Sequence, residues 1–165
     1  SNIDSTSSID KLSATSAEES PFEISTDELK SFVHERYRFL PGMSVERLNH
    51  RYALWSNLLI ENHPAWCLRI SDGTDVQGWF LVRDDPGKAL NLALAMLKTD
   101  AHISGHLLYQ KAMVEFAARG ARIGDAAFSV ANTPVMNIYA SLGARFLLPR
   151  GHWLRWSDRR GGANA

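Results

Sequence analysis

From residue 44 to residue 62, apolar side chains recur at three- and four-residue steps: Val45, Leu48, Tyr52, Trp55, Leu58 and Leu59. That is the period of one helix face. Ser44 stands where an N-cap belongs. Pro64 stops the segment, because the residue before a proline is pushed out of helical conformation. A second segment, "GHLLYQKAMVEFAARG" from Gly105 to Gly120, gathers Leu107, Leu108, Ala112, Phe116 and Ala117 on one face, with Gly120 in the stop position. A helix is also expected to start within Ser25–Leu40. Ser25 or Thr26 can cap it, and Asp27 and Glu28 suit the positive end of its dipole.

The other apolar blocks read as strands. "AWCLRISDG" and "VQGWFLVRDDPG" flank the turn "SDGTD" and predict a β-hairpin. "ALNLALAMLKT", residues 89–99, follows as a third antiparallel strand, and its unbroken apolar run predicts burial on both faces. "ARIGDAAFSVAN", residues 121–132, is a further strand. Thr133 and Pro134 then open a short helix with Val135, Ile138, Tyr139 and Leu142 inside and Gly143 at its end. "ARFLLPRGHWLRW", residues 144–156, predicts a last strand pair or kinked strand, with Pro149 marking an edge or bulge. The second half therefore runs β–α–β–α–β, and ligands in open α/β sheets sit beyond the C-terminal ends of strands that diverge. Here that directs attention to Lys98–Gly105 and Ala131–Thr133.

At 165 residues the chain suits one domain with a real core. Residues 1–25 are Ser-rich and acidic and read as a linker or mobile arm, 26–157 as the domain, and 158–165 as a polar tail. The opening without Met reads as that of a fragment. Lys+Arg and Asp+Glu both number 18. Zero net charge argues against a general nucleic-acid binder, which needs a basic surplus. The charge is uneven: residues 1–30 hold seven acids and two lysines, net −5, and residues 144–165 hold five arginines and one aspartate, net +4. The basic end suits an anionic ligand or a solvated edge. Cys67 is the only cysteine, which excludes a disulfide framework and a zinc cluster; within "AWCLRI" it reads as a small buried residue. No signal peptide and no apolar run of membrane-spanning length are present, so the expected setting is the cytoplasm, with no membrane partner.

The stretch "GHLLYQKAMVEFAARGARIGDAAFSVANTPVMNIYASLGARF" resembles the second half of a GNAT acyltransferase: helix, "RG", strand, Asn, helix with Tyr, "LG", Phe. Asn132, Tyr139, Leu142, Gly143 and Phe146 fall on that pattern. The similarity extends back through residues 51–83, and residues 34–156 as a whole resemble most the dTDP-fucosamine acetyltransferase branch, which acetylates an amino group on a nucleotide-linked sugar. The resemblance implies a mixed α/β (α+β) fold with a mostly antiparallel sheet, helices on both faces and two splayed central strands, here 89–99 and 121–131. Acyl-CoA would lie in that gap. Its pantetheine arm would pair with backbone at Met96, Leu97 and Lys98, and its pyrophosphate would rest at the start of the next helix, on Ser104, Gly105 and His106. Acyl transfer by direct amine attack is implied, with Tyr139 as general acid and Asn132 bonding the donor or fixing the splay.

One part departs from the family. Its phosphate loop reads Gln/Arg-x-x-Gly-x-Gly/Ala, and the matching stretch here is "DAHISG", Asp100–Gly105. Ile103 replaces the first glycine, and Asp100 puts an acid where a donor belongs, which repels phosphate. His102 and His106 compensate only if protonated. Three readings stay open: an acyl-CoA enzyme acting on a small amine, a catalytically degenerate binding module within a larger protein, and an acyl transferase working with a carrier-protein thiol. Bland readings stand beside each residue. Asn132 also suits a helix cap, and Tyr139 a core aromatic. His102 and His106 have metal-like i, i+4 spacing without a third ligand, so no metal is expected. Trp79 and Arg83 share one face of strand 76–83, which meets either substrate or a covering helix. His63 and Glu61 end the first long helix as candidate bases. Trp55, Trp66, Trp153 and Trp156 read as packing aromatics.

Overall fold

The computed structural model describes residues 9–30, 32, 36–147 and 149–151. Among them the strands are β1 (Leu12–Ser16), β2 (Leu68–Asp72), β3 (Asp75–Arg83), β4 (Leu90–Leu97) and β5 (Gly124–Asp125), and the α-helices are α1 (Val45–Asn62), α2 (Gly105–Ala118) and α3 (Thr133–Ser141). The strands form one sheet in the order β1-β2-β3-β4-β5. The first three pairings are antiparallel, and β4 with β5 is parallel.

The hairpin, the third antiparallel strand and the three long-range helices occupy the expected stretches. Gly73, at φ +58, opens the two-residue connection between β2 and β3, a conformation that L side chains rarely adopt. Ser44 caps α1 by accepting from Arg47 N–H at 3.2 Å, and Ser104 caps α2 by accepting from Leu107 N–H at 3.2 Å.

Alternation along β3 sorts its side chains to two faces. Trp79 and Leu81 join Met96 against Tyr52, Leu59 and Ile60 of α1. Phe80 and Val82 join Leu108, Ala112 and Phe116 of α2 and Tyr139 of α3. The sheet is therefore a shared floor for two apolar clusters, with helices on both sides. Gly78 is obligatory there: a Cβ would collide with the Met96 carbonyl oxygen and crowd Leu108. Two extra residues interrupt the register, Gln77 in β3 opposite the Ile70–Ser71 step and Ala93 in β4 opposite the Leu81–Val82 step.

Four expectations are corrected. Residues 12–25, read as part of a linker, belong to the fold. β1 pairs with β2 from Leu12↔Asp72 to Ser16↔Leu68, and Ile24 is 1% exposed. Burying such a side chain is worth about 1.5–3 kcal/mol, so the stretch is held by the same force as the core. Among the described residues of Ser25–Leu40 the expected helix gives way to two 3-10 turns, Thr26–Glu28 and Arg36–Phe39. The strand expected over 121–131 shrinks to Gly124–Asp125. The last strand pair does not form among residues 144–147 and 149–151, and residues 152–156, with the two C-terminal tryptophans and the polar tail, lie outside the described residues. No helix among the described residues is long and apolar enough to cross a membrane.

Candidate functional site

β4 and β5 are joined at two rungs only, Leu90↔Gly124 and Asn91↔Asp125. β4 then runs on for six residues without β5 beside it. The vertex of this opening is tied by Asn91 Nδ2 donating to Asp125 Oδ2 at 3.1 Å. This opening stands where the family resemblance implies a splay between residues 89–99 and 121–131.

Backbone direction decides which groups face the gap. Lys98 N–H donates to Gln77 O at 2.9 Å, on the β3 side. Neighbouring peptide groups in a strand alternate, so Leu97 and Ala95 turn N–H and C=O into the gap. Of Met96, Leu97 and Lys98, named from the sequence, only Leu97 presents its peptide groups there. Met96 is buried on the α1 side, where Ser56 Oγ lies 4.0 Å from its sulfur.

From the Leu97 carbonyl onward the edge is already taken. Thr99 N–H donates to Glu28 O at 2.9 Å, its hydroxyl donates to Glu28 O at 3.0 Å, and Leu29 pairs antiparallel with Lys98. Leu29 is itself buried. An open cleft of about 550 Å³ lies beside this crossing, lined by Ser25, Asp27, Glu28, Lys98, Thr99 and Asp100.

The stretch from Asp100 to Gly105 is held by specific partners. Lys98 Nζ lies 3.1 Å from Asp100 Oδ1 and keeps that carboxyl below its usual range, so it is charged at neutral pH. His102 Nε2 lies 3.0 Å from Asp72 Oδ2, and His102 N–H donates to Gln77 Oε1 at 3.0 Å. Gln77 is 1% exposed, so one buried residue fastens both ends of the loop, its main-chain oxygen to Lys98 and its side chain to His102. His106 Nδ1 meets Ser141 Oγ of α3 at 3.2 Å. The two histidines thus turn to different partners, and among the described residues no three metal-ligating side chains converge. Gly105 brings α2 against α3: a Cβ there would lie 3.3 Å from Ile138 Cδ1. Its N–H and that of His106 precede the intrahelical pattern and face outward at the positive end of α2.

These groups give a divided answer for acyl-CoA. The edge of β4 at Ala95, which β5 does not cover, fits a pantetheine amide arm. The α2 terminus offers N–H groups to an anion. Asp100 and the side chain of Ile103 do not fit a diphosphate cradle.

Tyr139 projects from α3 into the cluster beneath the opening and is 9% exposed. Phe128, just past β5, stacks on its ring at 5.4 Å, and Tyr109 of α2 meets it edge-on at 5.3 Å and 89°. Burial pushes the Tyr109 phenol up to about 12 and the Tyr139 phenol further, with Tyr109 and the Asp125 charge adding to the second shift. Both phenols keep their protons at neutral pH.

Asn132 is the N-cap of α3, its Oδ1 accepting from Val135 N–H at 3.3 Å. Trp79, 1% exposed, packs toward α1 and has no face for a ligand. His63 accepts from Asp84 N–H at 3.4 Å. Arg83 and Asp84 lie at the Asn91 end of β4, so His63 and Arg83 are not brought together with Lys98–Gly105. Cys67 is fully buried, and burial pushes its thiol up to about 11. Sequence reasoning missed Tyr109, Gln77, Asp125 and Glu28. Tyr109 had a signal, since 109, 112 and 116 share a helix face.

The architecture is mixed α/β with a five-stranded, mostly antiparallel sheet, consistent with a GNAT-like fold. No protein-family profile matches the chain, and no curated sequence does. Solved structures similar to it include PH1933 from Pyrococcus horikoshii OT3, at TM-score 0.58 and 12% identity, over 85% of this chain and 92% of that one. A probable acetyltransferase is similar at TM-score 0.48 and 17% identity, over 90% of this chain and 99% of that one. An integron cassette protein from the mobile metagenome of V. cholerae is similar at TM-score 0.46 and 12% identity, over 89% and 92%. At these identities the likeness concerns the fold alone.

Proposed function

We propose that the chain is an N-acyltransferase, moving an acyl group from an acyl-pantetheine donor, acetyl-CoA in the first instance, to the amine of a small molecule. The observation that carries this is the opening between β4 and β5. It has a β4 peptide edge around Ala95 that β5 leaves uncovered, a helix N-terminus at the end of β4, and a protonated tyrosine beneath it.

A bound donor would supply a thioester, at which an amine forms a C–N bond as the C–S bond breaks. Ala95 N–H and C=O and Leu97 N–H would hold the arm. Gly105 and His106 N–H would face its phosphate. Tyr139 would give its proton to the departing sulfur, and water or a base would take the proton shed by the amine. An amino-sugar acceptor is the finer form of this reading.

Isothermal titration with acetyl-CoA tests it first. Saturable binding with acyl transfer to an amine supports the proposal, and Tyr139→Phe is then expected to lower kcat about 100-fold with little change in donor affinity. Absence of binding at millimolar acetyl-CoA overturns it. A second reading has its own support in the Asp100 carboxylate and in the Leu29–Lys98 crossing of the β4 edge. Under it the chain is a non-catalytic binding module, or takes its acyl group from a carrier-protein thiol with no nucleotide to accommodate. Capture of an acyl carrier protein by the chain, without acetyl-CoA binding, selects the carrier form.

A further inference from the structure

We infer that the acyl acceptor is a small amine that also carries an oxyanion, held by Arg83 and Asp125 on the α1 face of the sheet at the vertex of the opening. The inference rests on the acyl-transfer reading above and names its acceptor class. Register places Arg83 of β3, Asn91 of β4 and Asp125 of β5 in one row across three strands, through the pairs Arg83↔Asn91 and Asn91↔Asp125. Directly opposed residues share a face. That face is fixed twice. Leu90 and Leu92 belong to the cluster under α2, so Asn91 between them points the other way. Trp79 and Leu81 belong to the cluster under α1, so Arg83, two residues on, points there too. α1 ends beside the row without covering it. Its C-cap His63 accepts from Asp84 N–H at 3.4 Å, and Arg83 and Asp125 are exposed.

Among the described residues no hydrogen bond or ion pair occupies the Arg83 guanidinium. Asn91 Nδ2 donates to Asp125 Oδ2 at 3.1 Å, which orients the carboxylate and leaves its other oxygen to accept. Neighbouring strands lie about 4.8 Å apart, so the backbones at Arg83 and Asp125 are about 10 Å apart. Asn91 stands between them and keeps the two charges from closing on each other. A guanidinium fork takes a carboxylate or phosphate through two parallel N–H bonds, and a carboxylate accepts the N–H of an amine. One small molecule spans both groups. The opposite face offers no such pair, because Phe80, Tyr109, Phe128 and Tyr139 fill it with rings. An acceptor on the α1 face would meet the thioester across the opening from Tyr139.

Two pairs of amines test this: glucosamine 6-phosphate with glucosamine, and alanine with alaninamide. With acetyl-CoA as donor, the oxyanion member of one pair is expected to show kcat/KM at least about tenfold higher than its neutral counterpart. The pair that shows it tells phosphate from carboxylate. Arg83→Gln is expected to abolish the preference. Asp125→Asn, which keeps an oxygen for Asn91, is expected to lower kcat/KM for the acceptor about tenfold with the Kd of acetyl-CoA unchanged. Equal rates within both pairs, or a preference that survives Arg83→Gln, overturns the assignment. Titration of glucosamine 6-phosphate and alanine without donor keeps the two failures apart. A wild-type chain that binds one of them more tightly than Arg83→Gln does, yet transfers no acyl group, retains the site and overturns the acyl-transfer reading. A chain that neither binds them nor transfers overturns both.

Discussion

Glu19 shows how far one exposed side chain is shaped by partners distant in sequence. Its Oε2 accepts from Ser16 N–H at 2.8 Å and from Arg119 Nη2 at 3.0 Å. Arg119 in turn donates to Glu115 and to Ala65 O, so one guanidinium ties the N-terminal stretch, α2 and the loop before β2. The Ser16 backbone bond first, then Arg119, holds the Glu19 carboxyl down from 4.5 to about 2. Its pKa is lower folded than unfolded, so the carboxylate stabilises the fold above about pH 4.5. That stabilisation is lost as pH falls from 4.5 toward 2. Urea midpoints of wild type and Glu19→Gln are therefore expected to differ most at neutral pH and to converge through that window. A difference that stays constant across it refutes this account. The sequence showed Glu19 only as one acid in a Ser-rich stretch, because its partner lies 100 residues away.

At the scale of elements, caps were legible and extents were not. Ser25 and Glu28 form a true capping box, so the start signal was sound. The helix still ends after Glu28, because Leu29 is extended (φ −88, ψ 132) and bridges Lys98. A buried leucine and a strand-edge pairing outweigh the small gain of another helical turn. Asn132 had two readings, and the structure gives it a cap. Asn132→Ala is expected to cost about 1 kcal/mol in chemical denaturation, and Asn132→Asp to restore most of it, because aspartate caps equally well. If Asp restores stability but acyl transfer stays impaired, the amide nitrogen has a second use at the opening. β5 is short for a local reason: beyond Asp125 the chain turns Phe128 inward to stack on Tyr139 instead of continuing beside β4.

For the whole molecule, the N-terminal stretch is the test of what holds the sheet. β1 covers the edge of β2, Leu12 belongs to the cluster under α2, and Ala17 and Ile24 to the one under α1. Asn57 of α1 clamps Ile24 from both sides, accepting its N–H at 3.0 Å and donating to its C=O at 3.1 Å. A chain beginning at residue 26 loses apolar burial from both clusters and bares a strand edge. The loss is expected to reach several kcal/mol, a large share of the 5–15 kcal/mol typical of a domain. A thermal midpoint unchanged by that truncation would return residues 12–25 to the status of a linker.

The sequence by itself determined the three helices, the Ser44 cap of the first, and the β2–β3 hairpin with the antiparallel strand that follows it. These are local matters, set by side-chain period and by turn and cap residues a few positions apart. Only the tertiary structure decided that "LSATS" is a strand, that Leu29 crosses the end of β4, that Lys98 takes Asp100, and that Tyr109 stands behind Tyr139. Each of these comes from the packing of the fold or from a backbone edge left unpaired by its neighbours. "LSATS" has only Leu12 and Ala14 as an apolar alternation, too little to mark a strand, and it is one because β2, far along the chain, presents an edge to it. The opening beside "VANTPVMNIYASLGARF" was implied by the resemblance that this stretch carries. What lines it depended on which way each peptide of β4 turned, and the extra residue Ala93 set that within the folded sheet.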